Sequence, residues 1–241
     1  MTYNSEIKGY VHSIETAGMV DGPGVRYVIF LSGCPLRCKY CHNPDTWKAN
    51  HGNFMSVGEL IADIKKYRSY MKFSGGGVTI TGGEPFVQAE FLTELLKACK
   101  ANGFHTAVDT SGYTTADRAE QALQYADLLL LDIKSFNPTT YKNLTGVELD
   151  KTLETLKIAE RLQVVTWVRF VLLPGYTDNM EDMHKMADFL RLLENVQKVD
   201  VLPFHKMGEY KWQEIGEVYE LAAVEPPSLE ELRLARSVLE M

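Results

Sequence analysis

The sequence predicts an α/β protein, more specifically a partial (β/α)6 barrel of the TIM-like kind with parallel strands and outer helices. Two observations predict this fold class. Short apolar runs rich in β-branched residues alternate with longer stretches whose apolar residues recur at helical spacing, which indicates βα units. In addition, polar residues of unusual type follow these runs, as expected where the carboxyl ends of parallel strands share one face.

Six segments are predicted as strands, because each is a short apolar run bounded by polar or turn residues. In chain order they are Tyr27–Leu31, Val78–Thr81, Thr106–Asp109, Leu128–Ile133, Val164–Leu172 and Val199–Leu202. Consecutive parallel strands need a crossover connection, which is usually a helix. Six strands with helices between them therefore predict a parallel sheet.

Amphipathic helices are predicted between the strands, because apolar residues recur three or four positions apart. The predicted faces are Val57, Leu60, Ile61, Ile64 and Met71; Phe91, Leu92, Leu95, Leu96 and Cys99; and Met183, Met186, Ala187, Leu190 and Leu193. Cys99, Met183 and Met186 are thus predicted to be core residues and not ligands. A last helix is predicted over Leu229–Leu239, with Ser228 as its N-cap.

Length and composition favour a single domain. The chain has 241 residues with 45% hydrophobic content, enough for one large core, so we expect residues 1–241 to form one domain. The net charge of −7 argues against a broad basic surface for nucleic acid or membrane. The first nine residues lack an apolar signal core, and no run is long enough to cross a bilayer. We therefore expect a cytoplasmic monomer.

Three of the four cysteines, Cys34, Cys38 and Cys41, lie within eight residues. Three thiolates on one loop can hold a metal cluster and leave one metal position open for a reactant. A structural zinc site usually has four protein ligands, and His42 directly follows Cys41, where it is poorly placed to share a metal with it. Disulfides would leave an odd thiol. The spacing therefore favours a thiolate-bound iron–sulfur cluster.

Unusual polar residues end or follow each predicted strand. They are the cysteine loop after the first strand, Gly82 to Pro85 after the second, Asp109 and Thr110 at the third, Asp132 and Lys134 at the fourth, Arg169 within the fifth and His205 after the sixth. In a barrel of parallel strands these positions meet at one face. We therefore expect them to form one site.

These motifs, taken in order, resemble the radical S-adenosylmethionine (SAM) superfamily. The resemblance rests on Cys34-x3-Cys38-x2-Cys41 followed by Thr81-Gly82-Gly83-Glu84-Pro85. The run Asp21-Gly22-Pro23-Gly24-Val25-Arg26 is similar to the activases of glycyl radical enzymes within that superfamily. The likeness continues through Asp109-Thr110, Asp132-Ile133-Lys134 and Leu202-Pro203-Phe204-His205, and thus covers nearly the whole chain.

The resemblance implies that Cys34, Cys38 and Cys41 bind three irons of one 4Fe-4S cluster and that SAM binds the fourth. An electron from the cluster then cleaves SAM to methionine and a 5'-deoxyadenosyl radical. That radical takes a hydrogen atom from the α-carbon of one glycine in a partner enzyme. The implied catalytic residues are these cysteines and Asp21, which the resemblance places beside the glycine loop of the partner.

Other residues are assigned to SAM by resemblance. They are Tyr40, Cys41, His42, Gly83, Asp132, Ile133, Lys134, Arg169 and His205. Their residue types also permit ordinary roles, which stay open at this point. His205 would suit an exposed surface, Arg169 a buried ion pair with a carboxylate, and Tyr40 and His42 simple packing of the loop.

Asp109 and Asp132, predicted at neighbouring strand ends, would repel each other unless a positive charge lies between them or one is neutralised. The resemblance implies a monovalent cation held by Asp109, Thr110, Asp132 and the backbone carbonyl of Leu130. Oxygen ligands suit such a hard cation. Lys134 could instead neutralise the two carboxylates directly, and the sequence leaves both arrangements open.

No cysteine lies between Asn43 and Gly77, where some related activases carry further clusters. By resemblance, this favours an activase of pyruvate formate-lyase over activases of diol or aromatic-substrate enzymes. A low-potential flavodoxin or ferredoxin is the implied electron donor. Three other functions stay open: activation of another glycyl radical enzyme, a small-molecule radical SAM reaction, and metal binding without catalysis.

Overall fold

An open sheet of eight strands forms the centre of the computed structural model, which describes residues 2–239. The strands are β1 (Lys8–Gly18), β2 (Arg26–Leu31), β3 (Asn53–Ser56), β4 (Gly77–Gly82), β5 (Thr106–Thr110), β6 (Leu128–Asp132), β7 (Val165–Leu172) and β8 (Val196–Pro203). Their order is β3-β1-β2-β4-β5-β6-β7-β8, and the six from β2 to β8 run parallel. The sheet curves without closing, so the predicted partial barrel of six parallel strands is confirmed.

Two antiparallel strands, β1 and β3, extend the parallel sheet at one edge. Neither strand was expected from the sequence. In β1, buried residues alternate with others only near its start, and from His12 to Ala17 half-buried residues alternate with exposed ones, which is typical of an antiparallel strand with one face in solvent. Continuous apolar runs indicate strands that are buried on both faces, and β1 lacks such a run.

Helices lie between the parallel strands, and two more follow the last strand. They are α1 (Val57–Ile64), α2 (Arg68–Ser74), α3 (Ala89–Ala101), α4 (Ala116–Leu123), α5 (Pro138–Thr145), α6 (Asp150–Arg161), α7 (Met180–Leu190), α8 (Glu209–Glu214) and α9 (Leu229–Leu239). The predicted faces on α3 and α7 are buried, and Cys99, Met183 and Met186 pack in the core as expected. Ser228 accepts the N–H of Glu231 at 3.2 Å, which confirms it as the cap of α9.

The apolar face predicted from Val57 to Met71 belongs to two helices. A 3-10 turn at Lys65–Tyr67 separates α1 from α2, yet Met71 still reaches the core. Gly75 then ends α2 with a φ of 70°, a left-handed conformation that glycine adopts without steric strain.

The main apolar core lies between the sheet and the outer helices. Alternate residues of a strand point to opposite faces, and on the other face Ala107, Leu128 and Leu130 form a small separate cluster. This cluster fills the strands near their amino ends, so the space beside their carboxyl ends is left to polar side chains. No helix within residues 2–239 is long and apolar enough to cross a bilayer.

Candidate active site

One cavity of about 680 Å³ lies at the carboxyl ends of the parallel strands. The predicted site residues that line it are Asp21, Cys34, Cys38, Tyr40, Cys41, His42, Gly83, Asp109, Thr110, Asp132, Lys134, Arg169 and His205. They come from the β1–β2 loop, from the strand ends and from the segment after β8. The expectation that the strand-end residues converge in space is therefore confirmed.

Leu130 and Ile133, also predicted as site residues, have side chains outside the cavity lining. Leu130 packs with Ala107 and Leu128, and the side chain of Ile133 lies in the main core. The N–H of Ile133 is donated to the carbonyl of Arg169 at 3.0 Å. Ile133 lies between Asp132 and Lys134 and points to the opposite face of the sheet, whereas Leu130 shares the face of Asp132 but packs nearer the amino ends of the strands, so only backbone atoms of these two residues are available to the site.

Backbone hydrogen bonds hold the cysteine loop in place. Cys34 donates its N–H to the carbonyl of Trp47 at 3.2 Å, and Cys41 donates to the carbonyl of Cys38 at 3.0 Å. None of the cysteines forms a disulfide, all of them lying within the described residues. The three loop thiols are thus free to bind a metal group.

Burial favours the protonated, neutral form of these thiols. It raises the pKa of Cys38 to about 12, and it also raises the pKa values of Cys34 and Cys41. Bound iron would take the place of each proton and stabilise the thiolate.

The positions of the possible ligand side chains restrict the kind of metal group more than their number does. Within residues 2–239, no three His, Cys, Asp or Glu side chains converge closely enough to hold a single metal ion. Such an ion needs its sulfur ligands at about 2.3 Å from one point. The cysteines of a 4Fe-4S cluster each bind a different iron and therefore do not need to converge in that way.

The segment after β4 packs directly against the cysteine loop. A Cβ atom on Gly83 would fall against the carbonyl oxygen of Gly33 and lie 3.2 Å from the Cβ of Cys34. Glu84 donates its backbone N–H to the same Gly33 carbonyl at 2.8 Å. Glycine is therefore required at position 83 by close contact between the two loops.

The Glu84 carboxylate is a buried hydrogen-bond acceptor whose role the motif alone did not reveal. Oε1 accepts the hydroxyl of Thr110 at 2.6 Å, and Oε2 accepts the N–H and the hydroxyl of Ser111 at 3.0 and 2.5 Å. Burial raises the pKa of Glu84, while these donors act in the opposite direction. The carboxylate thereby connects the loop after β4 to the end of β5.

Asp109 and Asp132 each have their own positive partner. Arg169 donates to Asp109 at 2.9 Å, and Lys134 donates to Asp132 at 2.8 Å. Asp109 raises the pKa of Arg169. Burial works to lower the pKa of Lys134, but Asp132, Tyr40 and Cys38 together more than offset it and the pKa is raised. Two separate ion pairs thus relieve the repulsion expected between the carboxylates.

The β1–β2 loop brings Asp21 into the cavity. Arg169 on β7 donates to the carbonyl of Val20 at 3.3 Å, and Thr79 on β4 donates its hydroxyl to the carbonyl of Asp21 at 2.7 Å. Burial raises the pKa of the Asp21 carboxyl, and the negative charge of Asp109 adds to the effect. Strands on both sides of the barrel therefore hold this loop.

His42 and His205 stack on each other with ring centroids 4.2 Å apart. Nε2 of His42 lies 3.2 Å from the carbonyl oxygen of His205. Burial lowers the pKa of His42, which favours a neutral ring that donates its Nε2–H to that carbonyl. His205 therefore belongs to the wall of the cavity together with His42.

Tyr40 has a polar atom that the described residues leave unsatisfied. The side chain is 5% exposed, and its hydroxyl has no hydrogen-bond partner within residues 2–239. Buried hydroxyls normally have a partner, so this atom indicates a place for a polar group of a ligand.

Trp212 of α8 covers the outside of the cysteine loop. Its indole N–H donates to the carbonyl of Cys41 at 2.9 Å, and its ring packs edge-on against Trp47 with centroids 5.0 Å apart. Lys211 beside it contacts the carboxylate of Asp45 at 3.2 Å. Sequence reasoning missed this element, and the available signal was only a tryptophan in a short polar stretch.

A family profile matches the strands and loops that build this site. The profile of the radical SAM superfamily covers residues 28–190, which include the three loop cysteines and the glycine motif after β4. The chain therefore belongs to the radical SAM superfamily.

Relatives of nearly equal length show to which family within the superfamily the chain belongs. The pyruvate formate-lyase 1-activating enzyme of Escherichia coli is 41% identical over 234 residues, covering 96% of this chain and 95% of the relative. The pyruvate formate-lyase-activating enzyme of Listeria monocytogenes is 42% identical over 242 residues, with 98% of each covered. Within the superfamily, the chain belongs to the family of pyruvate formate-lyase-activating enzymes.

Solved structures share the fold. A domain of the pyruvate-formate lyase-activating enzyme from Bacteroides vulgatus superposes with a TM-score of 0.57 at 26% identity, covering 68% of this chain and 93% of that one. SuiB of Streptococcus suis bound to the precursor peptide SuiA gives a TM-score of 0.63 at 18% identity, covering 87% and 44%. The second likeness supports the partial barrel alone.

Proposed function

We propose that this chain activates pyruvate formate-lyase by forming a radical on one of its glycines, with one 4Fe-4S cluster and SAM as cofactors. The observation that carries the proposal is the single cavity that joins Cys34, Cys38 and Cys41 to Asp21. The names of the relatives supply the partner enzyme. The chain would act as a cytoplasmic monomer of one domain.

The donor set fits the proposed cluster. Three free thiols lie on one loop and line the cavity, and Cys34, Cys38 and Cys41 would each bind one iron and leave the fourth iron to SAM. When bound, the cluster and SAM supply a one-electron cleavage to methionine and a 5'-deoxyadenosyl radical, which takes a hydrogen atom from the glycine α-carbon. The protein binds and orients these groups.

The residues proposed to hold SAM are Tyr40, Cys41, His42, Gly83, Asp132, Ile133, Lys134, Arg169 and His205. The charges of the cavity support this assignment, because Lys134 and Arg169 would attract the SAM carboxylate. Asp132 would attract its ammonium group. The unpartnered hydroxyl of Tyr40 offers a further hydrogen bond, whereas Ile133 could contribute only backbone atoms.

A monovalent cation remains part of the proposal, bound by oxygens of Asp109, Thr110, Asp132 and the carbonyl of Leu130. Asp109 and Asp132 lie on adjacent strands and both line the cavity, which supports the assignment. Such a cation would compete with the Arg169 ion pair and with the hydrogen bond from Thr110 to Glu84.

Asp21 is proposed to accept a hydrogen bond from the backbone of the partner's glycine loop. Its neighbour Val20 is 78% exposed, so the same short loop reaches from the cavity to the protein surface.

The proposal is tested by electron paramagnetic resonance on anaerobically reconstituted protein. With SAM, a reductant and pyruvate formate-lyase, we expect a glycyl radical signal on the partner, and Cys38→Ala should give none. The same assay is run in parallel with another glycyl radical enzyme in place of pyruvate formate-lyase. A signal only on that enzyme would contradict the proposed partner, and SAM cleavage without a radical on either would favour a small-molecule substrate.

A further inference from the structure

The outer side of the cysteine loop carries two exposed cations, Arg37 and Lys48. We name it the cluster-loop face and define it as Pro35, Arg37, Trp47, Lys48 and Ala49. We propose that an acidic, low-potential one-electron carrier protein docks on this face. The inference rests on the proposed function and adds to it the surface through which the electron arrives.

Arg37 connects this face to one end of the cysteine loop. Its guanidinium donates to the carbonyls of Cys34 at 2.8 Å and Leu36 at 2.7 Å. The same group lies over the ring of Trp47, 4.7 Å from its centroid. An exposed cation thus sits one hydrogen bond away from a residue proposed to bind iron.

Trp47 connects the face to the other end of the loop. Its ring contacts Trp212, and the indole of Trp212 donates to the carbonyl of Cys41 at 2.9 Å. Electron transfer between proteins slows steeply with distance, so a carrier must dock close to the cluster. The cluster-loop face meets that need because its residues contact both ends of the cysteine loop.

The charges on this part of the surface favour an acidic partner. Two nearby lysines are neutralised, since Lys39 pairs with Glu220 at 2.8 Å and Lys142 pairs with Glu148. Arg37 and Lys48 form no ion pair with any carboxylate within residues 2–239. A positive face on a chain of net charge −7 steers acidic proteins to that spot.

A second basic region lies far from the cysteine loop and provides a matched control. Lys65 is exposed and begins the 3-10 turn that leads into α2. The end of α2 packs beside the start of β2, where Val25 donates its N–H to the hydroxyl of Ser74 at 2.9 Å. This region is therefore near the amino ends of the strands, opposite the cluster-loop face.

The proposed step involves only the transfer of one electron from the carrier to the cluster. Reduced carrier loses one electron and the cluster gains one, with no bond formed or broken. A flavodoxin hydroquinone, which becomes the semiquinone, serves as the probe. Photoreduced 5-deazaflavin serves as a small reductant that needs no docking surface.

The test compares Lys48→Glu with Lys65→Glu, each of which replaces one exposed lysine by glutamate. We expect Lys48→Glu to slow cluster reduction by flavodoxin hydroquinone roughly three- to tenfold at low salt in stopped-flow absorbance. The difference should shrink at high salt, because ions screen exposed charges. Lys65→Glu should match the parent protein, and all three should react equally with photoreduced 5-deazaflavin.

Binding provides a readout that does not depend on turnover. The dissociation constant of oxidised flavodoxin, measured by titration calorimetry, should rise by a similar factor in Lys48→Glu only. Equal effects of both substitutions, or no effect of either, would overturn the proposal. If no reconstituted protein shows iron–sulfur absorption, the proposed function fails as well, and the two failures are thereby distinguished.

Arg37→Gln is a second variant that removes charge without reversing it. It should slow reduction by flavodoxin hydroquinone less than Lys48→Glu does, since the amide of the introduced glutamine can keep one hydrogen bond to the loop. Iron content equal to that of the parent would show that the cluster is intact. Slowing of both reductants alike would mean that Arg37 only supports the loop, which contradicts its assignment to the docking face.

Discussion

Arg169 and Arg26 lie in different regions of the barrel, Arg169 mostly buried and Arg26 fully buried, and they have different partners. Beside the cavity, Arg169 pairs with the carboxylate of Asp109 at 2.9 Å. At the amino end of β2, Arg26 is fully buried and donates to the hydroxyl of Thr79 at 2.9 Å and the carbonyl of Val78 at 2.6 Å. The first arginine has a charged partner, whereas the hydrogen-bond acceptors of the second are neutral.

The electrostatic consequences are opposite. Asp109 raises the pKa of Arg169, while burial lowers the pKa of Arg26 to about 10. Arg26 also donates to Nδ1 of His105 at 3.1 Å. An ion pair beside an open cavity can be redirected to a ligand, but a cation enclosed by backbone and hydroxyl groups holds strands together. We therefore expect changes near the cavity to impair the reaction and changes around Arg26 to impair folding.

Cys38→Ala should have the largest effect. It removes one of the three proposed iron ligands, so SAM cleavage should fall to background. The loop contributes little to the main core, so the urea midpoint of unfolding of the metal-free protein should stay close to that of the parent. Full SAM cleavage activity in this variant would contradict the expectation that changes near the cavity impair the reaction.

Asp21→Ala should separate the partner from the cofactor. Loss of a hydrogen bond to a carboxylate predicts a roughly ten- to hundredfold slower formation of the glycyl radical. SAM cleavage in the absence of partner should be spared, as measured by release of 5'-deoxyadenosine. Equal loss of both activities would show that Asp21 serves SAM instead.

Arg26→Met should destabilise the fold by about 2 kcal/mol, because buried acceptors on Val78 and Thr79 lose their donor. The substitution also removes a positive charge that was unfavourable to bury, so the loss of unfolding free energy is limited. The matched variant Arg169→Met should lower the unfolding free energy less, since water in the cavity can reach Asp109, but it should reduce the activation rate more. Urea unfolding and radical yield measured on both variants check this, and the reverse ranking would contradict the comparison.

The smallest expected effect is a pH dependence from His105. Burial and the nearby Arg26 lower the pKa of His105 below its ordinary value of about 6.5. The unfolded chain therefore takes up this proton first as pH falls, so stability is lost from about pH 6.5 down to the lowered pKa. In His105→Asn, the urea midpoint should fall less between pH 7.5 and 5.5 than in the parent. An equal fall in both would exclude this contribution.

The parallel strands were predictable because they appear as short, mostly apolar runs, and β2, β4, β5 and β6 are buried on both faces. β1 was not, since most of its residues are exposed or half-buried. The helix interruption at Lys65–Tyr67 was missed for another reason. The apolar positions keep their spacing across the 3-10 turn, so the pattern does not show the break.

The residues that make up the candidate site were predictable from the sequence, but the contacts among them were not. Strand ends could be located along the chain, and the residues at those ends do line one cavity. The pairing of Arg169 with Asp109 and of Lys134 with Asp132 could not be assigned, because either cation suits either carboxylate. The position of Trp212 over Cys41 was likewise hidden, since α8 is six residues long.

The sequence by itself determined the cysteine spacing, the six parallel strands and the face of the sheet to which each polar residue belongs. These features depend on neighbours within a few positions, where bond geometry and burial act locally. Only the tertiary structure decided which carboxylate each cation meets, how the β1–β2 loop enters the cavity and what covers the cysteine loop. Those contacts join distant segments, and their geometry depends on the order and curvature of the whole sheet.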